Sequence, residues 1–317
     1  MVLSVDAEDL TADGLFPLKQ RVSLAGYTSY RVGGNAEWFA LPKTPEQVSA
    51  SLKWAAHQRL SVTLLGAGSN LLISDRGLSG LVICSRHLRG YHFDDAAGQL
   101  TAAAGEPLPN LAWKAARRGW RGLEWAVGIP GTVGGAVFMN AGAHGGCTAD
   151  SLIKAEGITL AGDHICLSPE TLQFSYRTSS LQSQLQLVAQ ATFQLSPGHD
   201  PTAVVADTQA ALDQRRTTQP YHLPSCGSVF RNPTPYKAGQ LIEQTGLKGH
   251  QIGQAQVSPL HANFIVNLGG ATAQDVLTLI RHVQTQVDQQ WALRLHPEVR
   301  MLGNFEDNHP DPHGTPQ

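Results

Sequence analysis

The sequence predicts an α+β protein built from more than one domain, and three observations support that class. The chain has 317 residues, which is too long for one small core, so two or three domains are expected. Apolar runs typical of short strands are interspersed with stretches of helical periodicity. A linker that reads Ser-Pro-Gly-His-Asp-Pro spans residues 196–201 and predicts a domain boundary.

The first elements predict a small, mixed α/β unit. Residues up to about Lys19 are expected to form a loose arm, and a strand is predicted at 37–41. Thr44 is suited to cap a helix, with Pro45 at its first position and Gln47 closing a capping box. A buried strand and a glycine loop then follow this helix.

The stretch from Val62 to Gly77 holds the first candidate site. A strand at 62–65 opens into a loop formed by Gly66, Ala67, Gly68, Ser69 and Asn70. Glycines let the backbone approach a ligand, and a row of backbone N–H groups can hold a phosphate. An ordinary tight loop between two strands explains the same residues, so both interpretations stay open. Leu71 replaces the third glycine of a Rossmann fingerprint and no helix pattern follows, which indicates a nucleotide loop of a different fold.

A second unusual stretch covers residues 123–143, where five glycines lie between Gly128 and Gly142. Glycine at this density costs conformational entropy. We therefore interpret the stretch as backbone that lies against a flat or phosphorylated ligand. A buried Gly/Ala-rich helix that packs closely on a sheet is the alternative.

The remaining elements complete three predicted domains, at 1–79, 80–198 and 199–303, followed by a tail at 304–317. Strands are predicted at 81–84, 99–105, within 152–167, and at 187–195, 257–258, 264–268 and 295–302. Helices are predicted at 108–118, ended by Gly119, at 202–216, and after Thr272, where one apolar face is formed by Val276, Ile280, Val283, Val287 and Trp291. Residues after Phe305 are acidic and proline-rich, so the tail is expected to be disordered.

Composition and charge exclude several classes of protein. The formal net charge is −2, which argues against a protein of nucleic acid or of a membrane surface. No apolar stretch is long enough to span a membrane, and the N-terminus lacks the apolar core of a signal peptide. The four cysteines form no C-x-x-C pair and the thirteen histidines no H-E-x-x-H, so reduced thiols, no metal and a cytoplasmic location are expected.

Three further sites carry side chains that can do chemistry. Arg177 follows Tyr176 in a polar segment, Ser228 lies between a glycine and an apolar pair, and Glu298 lies inside a predicted strand. Taken singly, each has an ordinary explanation, as a surface cation, a turn serine and an edge-strand charge.

Taken together, these segments resemble the UDP-N-acetylenolpyruvoylglucosamine reductase family, whose members make UDP-N-acetylmuramate for peptidoglycan. Six motifs occur in the family's order between about Tyr27 and Gly303: YRVGGNA at 30–36, LGAGSNLL at 65–72, GIPGTVGGA at 128–136, SYRTS at 175–179, GSVFRNP at 227–233 and PEVR at 297–300. Six ordered motifs are far more specific than any one of them.

The resemblance implies an FAD-binding fold of the vanillyl-alcohol-oxidase (PCMH) type, made of two subdomains and followed by a C-terminal α/β substrate domain. FAD would be bound non-covalently. Residues 66–71, that is Gly66 to Leu71, would hold its pyrophosphate. The flavin and its phosphates would lie along Ile129, Pro130, Gly131, Gly134 and Gly135.

The resemblance also implies a chemistry and a set of partners. NADPH would supply a hydride through the flavin to the enolpyruvyl ether of a UDP-sugar. Arg177 and a protonated Glu298 would stabilise the developing charge, and Ser228 would donate the proton. Tyr176, Arg231, Asn232 and Arg300 would bind the substrate. We expect a cytoplasmic monomer whose partners are small molecules, with no nucleic acid and no membrane.

The chain departs from part of the family in two ways. The distance from Arg177 to Pro197 leaves no room for an inserted tyrosine-bearing loop, so this chain resembles the shorter subtype. Some members carry a lysine before the serine motif, where this chain has Arg215 and Arg216, and which of the two meets the substrate stays open. Two alternative hypotheses for the function remain. One is a different FAD-dependent oxidase of the same superfamily, in which a histidine often binds the flavin covalently. The other is a non-catalytic nucleotide-binding module.

Overall fold

The structure is a computed structural model that describes residues 16–184 and 186–305. Most of the predicted arm, and the predicted tail from residue 306, lie outside the described residues. The described end of the arm belongs to the fold, since Phe16 and Leu18 are buried and the first strand begins at Leu18. The expectation of a loose arm up to Lys19 is therefore wrong for these residues, because burial of two large apolar side chains holds them in place.

The first part of the chain forms a four-stranded sheet with one helix. Its elements are β1 (Leu18–Ser23), β2 (Asn35–Ala40), α1 (Pro45–His57), β3 (Val62–Leu65), β4 (Leu71–Ile73) and β5 (Leu78–Cys84). The sheet order is β1-β2-β5-β3, with β1 antiparallel to β2 and the other neighbours parallel. Thr44 caps α1 as predicted by accepting from the Gln47 N–H, but the Gln47 side chain accepts from the Lys43 N–H instead of closing the box.

The second part forms a five-stranded antiparallel sheet in the order β11-β10-β12-β7-β6. Its elements are β6 (Tyr91–Asp94), β7 (Gln99–Ala103), α2 (Leu108–Arg117), α3 (Val133–Met139), β8 (Gly142–Ala143), β9 (Gly146–Cys147), α4 (Thr148–Ser151), β10 (Leu152–Thr159), β11 (His164–Leu167), α5 (Pro169–Leu172) and β12 (Gln186–Gln194). Short 3₁₀ turns lie at Ala25–Tyr27, Ser85–His87, Glu124–Ala126 and Ser180–Gln182.

The third part combines helices with a small antiparallel sheet in the order β13-β14-β15. Its elements are α6 (Pro201–Thr218), α7 (Ala238–Gln244), β13 (Gln251–Ile252), β14 (Ala255–Val257), β15 (Ile265–Asn267), α8 (Ala273–Trp291) and β16 (Arg300–Leu302). Thr272 caps α8 as predicted, in a capping box with Asp275. The predicted last strand is shorter than expected, and β16 pairs in parallel with β4 from the first part of the chain.

Among the residues that the structure describes, the buried apolar side chains form three clusters. One cluster joins α1 and α2 to the five-stranded sheet, and another surrounds α8 in the C-terminal part. Helix α6 follows the predicted linker, yet it packs against α2, and Ala211 and Leu212 lie on the first of these clusters. The domain boundary at residue 198 stays a prediction. Within the described ranges, no helix combines the length and apolarity needed to cross a bilayer.

Candidate active site

A cavity of about 800 Å³ is lined by residues from all three parts of the chain. Every residue predicted to hold the cofactor lines it: Gly66, Ala67, Gly68, Ser69, Asn70, Leu71, Ile129, Pro130, Gly131, Gly134 and Gly135. The predicted catalytic residues Arg177, Ser228 and Glu298 line the same cavity. The fold therefore brings together groups that are far apart in sequence.

The glycine loop presents unpaired backbone donors at this cavity. Among the described residues, no N–H group from 66 to 70 has a protein hydrogen-bond partner. Gly68 has a φ of +67°, and a Cβ at this position would collide with the backbone carbonyl of Tyr27, so only glycine fits. Successive N–H groups around a concavity form a nest for an anion such as a diphosphate.

The second glycine-rich stretch forms a close-packed helix and also lines the cavity, so its contact with a ligand stays a prediction. Helix α3 forms as the structural alternative required, with Thr132 as its N-cap, and it packs closely on the sheet because a Cβ at Gly134 would lie 3.0 Å from the Ala104 Cβ. The residues before and within its first turn also line the cavity. The stretch meets the glycine loop here, since a Cβ on Gly66 would lie 2.8 Å from the Thr132 Oγ1.

These features fit the FAD that the resemblance implies. The N–H nest of residues 66–70 suits the diphosphate, and apolar side chains such as Ile129, Leu187 and Val188 line the wall beside it. The volume lies within the range of small-molecule sites, which are mostly apolar with a few convergent polar groups. Among the described residues, no group of histidine, cysteine or acidic side chains is arranged to hold a metal ion.

Arg177 and Glu298 form an ion pair inside the cavity. The Arg177 Nε lies 2.8 Å from the Glu298 Oε1, and its Nη2 donates to the Gly142 carbonyl at 2.8 Å. Arg177 has a φ of +57°, which is uncommon for a residue other than glycine. The Gln182 side chain supports this conformation by donating to the Arg177 carbonyl at 3.0 Å. Strained backbone that is held by its surroundings is typical of functional sites.

Glu298 is also held from its backbone, by two different parts of the chain. Its N–H donates to the Val229 carbonyl at 2.7 Å, which places Glu298 beside the segment that carries Ser228. Its carbonyl accepts from the Asn70 Nδ2 at 3.2 Å. The parallel pairing of β4 with β16 continues this contact, so the glycine loop and the predicted acid have a fixed relative position.

Ser228 lies in a loop that Asn263 organises. The Val229 N–H donates to the Asn263 carbonyl, and the Phe230 backbone exchanges two hydrogen bonds with the Asn263 side chain. Gly227, with a φ of +80°, turns the chain just before the serine. This network fixes the backbone on one side of Ser228, and Ser228 lines the cavity.

The pKa of the Glu298 carboxyl is raised above its ordinary value. Burial is the main cause, because it disfavours the charged form. The positive charges of Arg177 and Arg231 act in the opposite direction, and the 2.8 Å ion pair by itself would favour the ionised carboxylate. Burial has a larger effect than the two arginines, so the net change is a raised pKa, as a protonated Glu298 requires.

The residues predicted to bind substrate divide into two groups. Asn232 and Arg300 line the cavity, whereas Tyr176 is 55% exposed and, like Arg231, is not among the lining residues. The Arg231 Nε is nevertheless buried without a hydrogen-bond partner among the described residues. The Arg300 Nη1 donates to the Gln182 Oε1 at 3.4 Å.

Sequence reasoning missed several residues of the site. Lys237 lines the cavity, Asn263 shapes the serine loop and Gln182 connects two arginines. A single sequence carries no signal for them, because their places at the cavity and their side-chain contacts arise only in the folded chain. The structure also distinguishes the two arginines between which the sequence could not choose. Arg215 lines the cavity, whereas Arg216 is exposed and is not among the lining residues.

Comparison with known proteins agrees with this site. The FAD binding domain family matches residues 36–168, and the C-terminal domain family of UDP-N-acetylenolpyruvoylglucosamine reductase matches residues 219–302. The reductase of that name from Nostoc punctiforme is 61% identical over 289 residues, covering 91% of this chain and 87% of the relative. The one from Synechococcus elongatus is 58% identical over 290 residues, covering 92% and 96%.

A solved structure from the same family has a fold similar to that of this chain. The crystal structure of UDP-N-acetylenolpyruvylglucosamine reductase from Thermus caldophilus has a TM-score of 0.78 to this chain at 36% identity, covering 90% of this chain and 98% of that one. The expected vanillyl-alcohol-oxidase type of FAD-binding fold, followed by a C-terminal substrate domain, is thereby confirmed. The identity and coverage of these relatives, together with the six motifs in order, lead to one assignment: the chain belongs to the UDP-N-acetylenolpyruvoylglucosamine reductase family.

Proposed function

We propose that this protein reduces the enolpyruvyl ether of UDP-N-acetylenolpyruvoylglucosamine to UDP-N-acetylmuramate with NADPH, for peptidoglycan synthesis. FAD, held by the glycine loop at 66–71 and the stretch at 129–135, would supply the redox chemistry that links NADPH to the vinyl carbon. The observation that carries the proposal is the convergence of Arg177, Ser228 and Glu298 on one cavity that the glycine loop also lines. The family membership established above supports the same reaction.

Arg177 and Glu298 stabilise the charge that develops on the substrate. Hydride addition to the vinyl carbon places negative charge on the carbon α to the carboxylate and on the carboxylate itself. A preorganised cation and a hydrogen-bond donor aimed at that oxygen lower the barrier. Arg177 is already fixed by its bond to the Gly142 carbonyl, and a protonated Glu298 can donate to a substrate carboxylate.

Ser228 donates the proton that completes the reduction. A positioned acid of this kind contributes roughly a hundred- to ten-thousand-fold in rate. A serine hydroxyl is a weak acid, so the charge on the carbon must be nearly that of a carbanion when the proton moves. The Asn263 network holds the backbone beside Ser228, which limits the reorganisation needed for transfer.

Basic and amide side chains around the cavity bind the rest of the substrate. Arg300, Lys237 and Asn232 line it, and Arg231 contributes charge close to Glu298. Of the two arginines left open by the sequence, we propose Arg215, because it lines the cavity. Cationic side chains suit a doubly charged diphosphate. Tyr176 lies under the Arg177 guanidinium, 5.2 Å from ring centroid to Cζ, and would meet the substrate at the rim.

The decisive experiment separates the two half-reactions in a Ser228→Ala variant. NADPH should still bleach the bound flavin at the wild-type rate, because no proton from Ser228 is needed in that step. Reoxidation by the enolpyruvyl UDP-sugar should slow by roughly a hundredfold or more. Rapid-mixing absorbance of the flavin measures both rates.

Ser225→Ala is the matched control, because Ser225 belongs to the same loop and is not among the residues that line the cavity. It should leave both half-reactions unchanged. Equal damage to the two half-reactions in Ser228→Ala would refute the role of Ser228 as proton donor. For location and assembly we propose a cytoplasmic monomer, where NADPH and UDP-sugars are available, and sedimentation of the holoenzyme checks the assembly state.

A further inference from the structure

Side chains of a short segment that follows β5 donate hydrogen bonds to the backbone carbonyls of the glycine loop and of the residue before it. The Ser85 Oγ donates to the Leu65 carbonyl at 3.3 Å. The Arg86 Nε donates to the Gly66 carbonyl at 3.3 Å, and its Nη2 donates to the Ala67 carbonyl at 2.6 Å. Three consecutive carbonyls, those of Leu65, Gly66 and Ala67, therefore have side-chain partners in this segment. Of the two donors, Ser85 lines the cavity, whereas Arg86 does not.

Arg86 is the centre of this arrangement. Its guanidinium also donates to the Gly26 carbonyl at 3.4 Å and to the Tyr27 carbonyl at 2.8 Å, and its Cζ lies 5.3 Å from the Tyr27 ring centroid. One side chain thus links the glycine loop to the turn at 25–27. Arg86 is not among the residues that line the cavity.

The orientation of the carbonyls determines where the loop donors point. In a trans peptide, the C=O of one residue and the N–H of the next point in opposite directions. Carbonyls of Gly66 and Ala67 that are held by Arg86 therefore direct the N–H groups of Ala67 and Gly68 toward the cavity that both residues line. The Arg86 guanidinium bonds the loop from outside the cavity, and its positive charge adds to the positive potential of the nest.

We propose that Arg86 is a positioning residue for the diphosphate of FAD. It acts through the backbone of Gly66 and Ala67 and does not touch the cofactor. The inference rests on FAD binding by this family and not on the proposed substrate reaction, so the two can fail separately. Arginine suits the role because its planar fork reaches two loop carbonyls at once, which the single ammonium group of lysine does not reproduce.

The test is the FAD affinity of an Arg86→Met variant, measured by titrating flavin-stripped protein with FAD. The dissociation constant should rise about tenfold or more, because charge-assisted bonds that orient the nest are lost. At saturating FAD, the visible spectrum of the flavin and its rate of reduction by NADPH should match the wild type, because the isoalloxazine contacts are untouched. Arg118→Met, which removes a surface ion pair with Asp95, should change none of these values.

The outcomes distinguish positioning from general support of the fold. An unchanged FAD affinity overturns the proposal, and so does a changed flavin spectrum at saturation, which would indicate a wider disturbance of the cavity. If Arg86→Met does not fold, Arg86→Lys decides, since it keeps the charge. The lysine variant should lose affinity by a smaller factor with the same unchanged spectrum, and wild-type affinity in it would overturn the role of the guanidinium fork.

Discussion

At Glu298, burial and two arginines act on one carboxyl in opposite directions. Burial raises its pKa, whereas Arg177 and Arg231 lower it, and burial is the larger effect. The pKa of Glu298 is therefore set by a balance between desolvation and nearby charge. Enzymes use the same balance to keep a carboxylic acid protonated. Binding of an anionic substrate beside Arg177 would shift this balance further toward the protonated form.

This balance predicts the pH dependence of flavin reoxidation. In the proposed mechanism the protonated carboxyl is the active form, so the rate should be highest below the raised pKa of Glu298 and should fall as the pH rises through it. In Glu298→Gln the amide cannot ionise, so this decline should disappear while the rate itself is reduced. Single-turnover reoxidation across a pH series measures both effects.

Reduction of the flavin by NADPH serves as the internal control, because the proposed role of Glu298 belongs to the second half-reaction. Its rate should not follow the same decline. A decline that persists unchanged in Glu298→Gln would show that another group titrates, and the role assigned to this carboxyl would be wrong.

At the scale of elements, the pairing of β4 with β16 ties the glycine loop to the segment that carries Glu298. Leu71 directly follows the glycine loop and pairs with Arg300, two residues after Glu298. The Arg300 N–H donates to the Asn70 carbonyl at 3.0 Å. A displacement of one strand would move the other, so the distance between the diphosphate nest and the predicted acid is held by backbone hydrogen bonds.

Asp75, which follows β4, connects this part of the chain to α8. Its carboxylate accepts from the N–H groups of Ala273 and Gln274 at 2.9 and 3.0 Å, at the start of α8. We predict that Asp75→Ala lowers the free energy of unfolding by about 1 kcal/mol, because an N-terminal cap and a favourable charge at the helix dipole are lost. Urea denaturation measures the change.

Asp95→Ala is the matched control, since it removes an exposed carboxylate that pairs with Arg118 at the surface. Exposed ion pairs contribute little, so its effect should be smaller than that of Asp75→Ala. Equal losses in the two variants would contradict the capping role of Asp75.

For the whole molecule, the cavity lies where the three parts of the chain meet, since each part contributes lining residues. Two of its lining side chains, His144 and Cys226, are of the kinds that can bond covalently to a flavin. Burial raises the pKa of the Cys226 thiol to about 12, so it stays protonated and a poor nucleophile. The pKa of His144 is lowered, mainly by desolvation.

Because the family resemblance implies non-covalent FAD, we predict that the flavin is released when the protein is denatured. Acid precipitation should leave all the yellow colour in the supernatant, and chromatography of the supernatant should identify FAD. Flavin that stays with the precipitated protein would indicate a covalent bond. It would favour the alternative of an oxidase of the same superfamily, and peptide mass analysis would locate the attachment.

Much of the fold was predictable because its signals are local. The apolar face that ends at Trp291 and the cap at Thr272 define α8, and Gly119 ends α2 with a φ of +69°. The short helix α7 and the pairing of β16 were not predicted. A helix of seven residues has too few turns to show periodicity, and strand pairing across the chain leaves no local pattern.

The candidate site likewise has a part that was predictable from the sequence and a part that was not. The glycine loop could be recognised because its function depends on the backbone of consecutive residues, which sequence shows directly. The supporting contacts of Arg86, Gln182 and Asn263 could not be recognised in the same way. Each of these side chains bonds a backbone group outside its own turn or loop, and such contacts exist only in the folded chain. No pattern in one sequence encodes such a contact.

By itself, the sequence determined the element types, the two glycine-rich segments and, through six ordered motifs, the family. Only the tertiary structure decided that Arg177 meets Glu298 across 121 positions of sequence, that burial raises the pKa of that carboxyl, and that Arg215 and not Arg216 lines the cavity. The physical reason is that backbone conformation follows from neighbouring residues, whereas burial and charge interactions depend on distances that exist only after the chain has packed.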